Sequence, residues 1–69
     1  MNHYSKSELE FLIDEWVVGQ NASRNKKIIR DKLINGMTNE QIAEKYDLSL
    51  TRTKTVIRLF RRKLETLGK

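Results

Sequence analysis

The sequence predicts an all-α fold, a four-helix domain. Apolar residues recur at three- and four-residue intervals in four separate segments, and no segment alternates as a half-buried strand would. Proline is absent, and Gly19, Gly36 and Gly68 each fall where a helical pattern stops. At 69 residues the chain reads as one domain, 1–69, with an acidic N-terminal helix (1–20) and a basic helical unit (23–69). A chain this short sits near the lower limit at which a single apolar core offsets chain entropy. Without cysteine it has no disulfide and no thiolate metal site, so helix packing, aided or not by self-association, has to hold it together.

The first helix is expected from Ser5 or Ser7 to Val18, because each serine is followed three residues later by a glutamate, the pattern of a reciprocal cap. Leu9, Leu12, Ile13, Trp16 and Val17 form its apolar stripe, and its opposite face is acidic. Gln20-Asn21-Ala22-Ser23 reads as a short loop, followed by a second helix from Arg24 to Asn35 that buries Ile28, Ile29, Leu33 and Ile34. The third helix runs from Thr38 to Tyr46, with Thr38 and Gln41 at capping-box spacing and Ile42, Ala43 and Tyr46 on one face. Ser49 caps the fourth, Leu50 to about Leu67, whose Thr53, Val56, Ile57, Phe60, Leu64 and Leu67 turn to the core. One core is expected, built from Leu12, Trp16, Ile29, Leu33, Ile42, Ala43, Leu48, Val56, Phe60 and Leu64.

The third and fourth helices, joined by a tight turn, spell a helix-turn-helix. Ala43, no larger than a methyl group, lets the two helices cross closely, and Leu48 plugs their corner. A helical hairpin of any all-α domain carries caps and a stripe too, so charge has to separate a DNA reader from a plain hairpin. Residues 1–23 carry Lys6 against Glu8, Glu10, Asp14 and Glu15, net −3; residues 24–69 carry thirteen Lys/Arg against five Asp/Glu, net +8. A basic half of this kind suits a polyanion, and duplex DNA is the polyanion a helix-turn-helix grips.

With its apolar stripe inward, the fourth helix turns Thr51, Thr55, Arg58 and Arg62 outward, with Lys54 beside them. Leu50, Thr51, Lys54 and Thr55 lie near the helix start, the part that enters a major groove, and are the expected base-edge residues. Arg58 reads base or phosphate, while Arg61, Arg62 and Lys63, with Arg52 flanking, are expected on phosphate as the straight helix leaves the groove. Thr38, Asn39 and Gln41, at the start of the third helix, are expected to contact the backbone through exposed amides. A single chain of this size reads only a few base pairs, so selectivity calls for a homodimer on a repeated site or a larger complex such as RNA polymerase.

The run Arg24-Asn25-Lys26-Lys27-Ile28-Ile29, then Gly36-Met37-Thr38, Ile42-Ala43, Leu48-Ser49 and Arg62-Lys63-Leu64, resembles in order and spacing the helix-turn-helix of bacterial sigma-factor region four. It resembles the LuxR-type activators more distantly, since Arg52-Thr53 stands where that group has Thr-Val. The preceding Leu12-Ile13-Asp14-Glu15-Trp16 is similar to small stand-alone sigma-like proteins of phages and prophages. The resemblance implies a mobile-element protein that binds duplex DNA and acts in transcription, with those roles carried over onto Thr38, Leu50, Thr51, Lys54, Thr55 and Arg58. Leu50 and Thr51 depart from the acidic or arginine residues frequent at those places, so the DNA element need not be the family's own. The sigma regions that bind polymerase and melt DNA have no counterpart, which sets this chain apart from a complete housekeeping sigma factor.

Other classes fit less well. The only histidine, His3, has no partner at ligand spacing, and Asp14 and Glu15 point in different directions from a helix, so neither a metal site nor a catalytic pair is expected, and no cofactor. No apolar run approaches a bilayer span, and the N-terminus lacks a signal-peptide apolar stretch; the reading is a soluble protein of the cytoplasm, associated with the nucleoid. The rival readings are a protein-interaction module that meets RNA polymerase or a partner regulator through the acidic first helix and Trp16, and a DNA-binding part of phage packaging or recombination machinery.

Overall fold

The computed structural model describes residues 4–66. Four helices follow one another: α1 (Lys6–Trp16), α2 (Ala22–Leu33), α3 (Asn39–Lys45) and α4 (Leu50–Thr66), with no strand among the described residues. Leu67, expected on the core stripe, Gly68, expected at a helix end, and His3 lie outside the described residues.

Ser5 rather than Ser7 caps α1: its Oγ accepts from the Glu8 amide at 3.1 Å, and Glu8 Oε1 accepts from the Ser5 amide at 3.0 Å. The helix stops at Trp16, short of the expected Val18, because Val17 turns extended and Gly19 takes φ +88°, a conformation with no steric cost only for glycine. α2 begins two residues earlier than expected. Asn21 adopts the left-handed region at φ 64°, which asparagine tolerates, so the loop is shorter and Ala22 is already helical. The amides of Ile34 and Asn35 fold back onto the Arg30 carbonyl and that of Met37 onto Asp31, closing α2 before Gly36 at φ +75°.

The Thr38–Gln41 box forms as expected, at 2.9 and 3.1 Å. Asp47 at φ 54° makes the α3–α4 turn, and the Leu48 amide donates to the Ala43 carbonyl across it at 2.9 Å. Ser49 Oγ then accepts from the Arg52 amide at 3.0 Å and starts α4.

The core departs from the single ten-residue cluster expected. Ile13, Ile29, Phe60 and Leu64 join α1, α2 and α4, while Ile28, Ile42 and Ile57 join α2, α3 and α4; half-buried Val56 touches both groups. The division follows from α2, whose adjacent Ile28 and Ile29 point more than a quarter of a turn apart, one toward each neighbour. Ile13, Ile28 and Ile57, expected on the inward faces though not among those ten, are buried, whereas Leu12, Trp16, Leu33, Leu48 and Val56 are only half-buried around them. Buried Thr53 is satisfied inside its own helix, its hydroxyl donating to the Ser49 carbonyl at 3.0 Å.

Candidate nucleic-acid interface

Burying Thr53, Ile57, Phe60 and Leu64 on one side of α4 leaves Thr51, Lys54, Arg58, Arg61 and Arg62 exposed on the other. The helix carries six cations, Arg52, Lys54, Arg58, Arg61, Arg62 and Lys63, and one carboxylate, Glu65. Among the described residues none of the six forms an ion pair with a carboxylate. Lys54, Arg58, Arg61 and Arg62 are joined by Lys32 of α2 and Asn39 of α3 around an open groove of ≈ 630 Å³. Two helices therefore converge their positive charge on one side of the molecule, and α3 adds a neutral amide. Asn39, an expected backbone contact, lies in this groove with its Oδ1 buried and unpartnered.

Other expected contacts are committed elsewhere. Thr38 and Gln41 use their side chains on each other's amides, so any contact they make to a ligand goes through what the cap leaves over. The half-buried Thr55 donates its hydroxyl to the Thr51 carbonyl at 2.9 Å and keeps only acceptor capacity for a base edge. Leu50 is on the boundary of exposure at 37 %. Arg52 and Lys63 stand on the far flank of α4 from Lys54, along a second groove against α1. There Lys63 Nζ donates to the Trp16 carbonyl at 3.3 Å, placing a cation on the end of a helix that has no basic residue in its own last turn.

The acidic face expected on α1 is exposed, and half of it is met by cations of α2. Glu10 Oε1 lies 3.5 Å from Arg30 Nε, and Asp14 Oδ1 lies 3.9 Å from both Arg30 and Lys26 of α2. A buried carboxylate that no motif announced ties α2 to α3: Asp31 accepts from Tyr46 OH at 2.6 Å, Lys45 Nζ at 3.0 Å and Asn35 Nδ2 at 2.8 Å. Burial pushes the Asp31 carboxyl up, but the hydrogen bonds from Tyr46, Lys45 and Asn35 together outweigh it and hold the group below its ordinary range. Burial first, then the hydrogen bond to Asp31 and its charge, raises the Tyr46 phenol; the hydrogen bond to Asp31 raises Lys45. Only the Asp31–Asn35 spacing, one helical turn, was visible as a signal in the sequence.

Compared with protein-family models, with curated proteins and with solved structures, the chain matches none. Among the described residues no helix is long and apolar enough to cross a membrane.

Proposed function

We propose that the chain binds duplex DNA through the outward face of α4 and regulates transcription, without catalysing a reaction. One observation carries the reading: α4 presents six cations, none in an ion pair with a described carboxylate, four of them around a groove to which α2 and α3 add Lys32 and Asn39 and in which Glu65 is the one carboxylate. Cations crowded on one helix repel each other, and a row of phosphates relieves that repulsion while releasing condensed counterions. Thr51 and Lys54, exposed in the first turns of α4, are the base-reading pair; Arg58, Arg61 and Arg62 hold phosphate farther along. The transcription role rests on the sigma-like order of Gly36-Met37-Thr38, Ile42-Ala43 and Leu48-Ser49. The rival reading, in which α1 binds polymerase by its acidic face, loses Glu10 and Asp14 to Arg30 and Lys26.

Titration of a labelled duplex at two salt concentrations tests the proposal. Affinity is expected to fall steeply as salt rises; binding that is absent at low salt, or indifferent to salt, refutes it. Selection of bound sequences from a random pool then tests the reading pair. Lys54→Ala is expected to relax preference at one or two positions, about 1–3 kcal/mol of discrimination at a base pair.

A further inference from the structure

Two surfaces, one bordering the DNA face at Arg62 and one away from it, complement each other. The first is a groove of ≈ 740 Å³ between the end of α1, the start of α2 and the flank of α4 that carries Leu59. Trp16, Ile29, Val56 and Phe60 floor it, and Val18 and Leu59 stand at its edge, 71 % and 53 % exposed. Arg24, Arg52, Arg62 and Lys63 rim it, and no described carboxylate lines it. The second surface is the outward side of α1. Here Phe11 is 63 % exposed, with Glu8 and Glu15 on the same side of the helix, one turn before it and one turn after. Glu10 and Asp14 face α2 instead, so this side is an acid–apolar–acid stripe, against a base–apolar–base groove.

We infer that the chain associates with a second copy of itself by seating the outward side of α1 in this groove, with Phe11 entering beside Leu59 and Val18 and the glutamates facing the basic rim. Pairing groove to groove would set four cations against four, whereas pairing stripe to groove joins opposite charges around an apolar centre. Val18, just beyond the end of α1, stands at the groove edge, so groove and stripe border each other at that end of the helix, and reciprocal use by two copies closes the assembly. Lys54 and Arg58 line only the other groove and stay clear of the contact, whereas Arg62 borders both. The association needs no DNA and stands or falls apart from DNA binding.

Sedimentation equilibrium of the full chain without DNA, from micromolar to millimolar concentration, measures it. A reversible monomer–dimer equilibrium is expected. Phe11→Lys and Leu59→Glu, both at exposed positions, each weaken it about tenfold or more with an unchanged circular dichroism spectrum. An equimolar mixture of the two variants associates more tightly than either alone, because one of its two contacts is unaltered and the other gains a Lys–Glu pair. A chain that stays monomeric throughout overturns the inference and leaves the groove to an acidic segment of another protein. It is equally overturned by an association indifferent to both substitutions, or by a mixture no tighter than its components.

Discussion

α2 and α4 are both basic and both amphipathic, yet the fold treats their charges in opposite ways. In α2, Lys26 and Arg30 meet Asp14 and Glu10 of α1, Arg24 donates to Asn25 Oδ1, and Asp31 gathers Lys45 and Tyr46 from across the α2–α3 junction. In α4 no cation forms an ion pair with a described carboxylate; of the six side chains, that of Lys63 alone is hydrogen-bonded among the described residues, and to a carbonyl. The same residue types are thus structural on one helix and left open on the other. Net charge alone would assign both helices to DNA; what separates them is whether a neighbour supplies the counter-charge. Substitutions of Lys26, Arg30 or Asp31 on α2 should therefore move stability and leave DNA affinity alone, and substitutions on the outward face of α4, which Lys32 of α2 joins, should do the reverse.

The sharpest break in that contrast comes at Asp31. Asp31→Ala strands the Tyr46 hydroxyl and removes an acceptor shared by three donors, and we expect a loss of about 2–3 kcal/mol in chemical denaturation, the half-exposed Lys45 contributing little of it. Because the folded-state carboxyl lies below its unfolded value, this stability is present above the unfolded pKa and is lost as pH falls through the folded one. The parent should lose stability below about pH 4 more steeply than the variant does. Equal acid slopes would mean that the network does not favour the carboxylate.

Next in size, Ala43→Leu tests whether α3 packs closely at the junction both helices share. Ala43 is buried, so the added methylenes should overpack it and cost about 1–3 kcal/mol in a thermal melt. An unchanged melt would show that the helices do not meet there.

Arg62→Ala makes the complementary measurement on α4. It should weaken binding to every duplex alike and lower the salt slope by about one unit while leaving the melt within about 0.5 kcal/mol of the parent. A changed sequence preference would move Arg62 from phosphate to base. The smallest effect belongs to Arg30→Ala, which removes partly exposed ion pairs and should cost about 0–1 kcal/mol of stability with DNA affinity unchanged. Should it weaken DNA binding as strongly as Arg62→Ala, the division between an inward and an outward basic helix would fail.

Much of the candidate site was legible because periodicity alone says which side of a helix is wet. Lys54, Arg58, Arg61 and Arg62 are exposed where the stripe of Phe60 and Leu64 required. Lys63 was not legible in this way. Its place on the far flank follows from helical geometry, but the carbonyl it meets belongs to Trp16, 47 residues away. Arg52 shares that flank, and Thr55 keeps its hydroxyl proton within α4.

By itself the sequence determined where three of the four helices begin, because those decisions are made by hydrogen bonds within four residues: Ser5 with Glu8, Thr38 with Gln41, and Ser49 with Arg52 are each complete locally, whereas α2 has no side-chain cap to announce it. It left open the partners of each face. That the core splits around Ile28 and Ile29, that Glu10 and Asp14 are neutralised by α2, and that Asp31 rather than water receives Tyr46 were decided only when the helices packed. The physical reason is the range of the forces involved. A cap needs only its own turn of helix, whereas burying a charge or dividing a core depends on which distant side chain arrives with the complementary shape and sign.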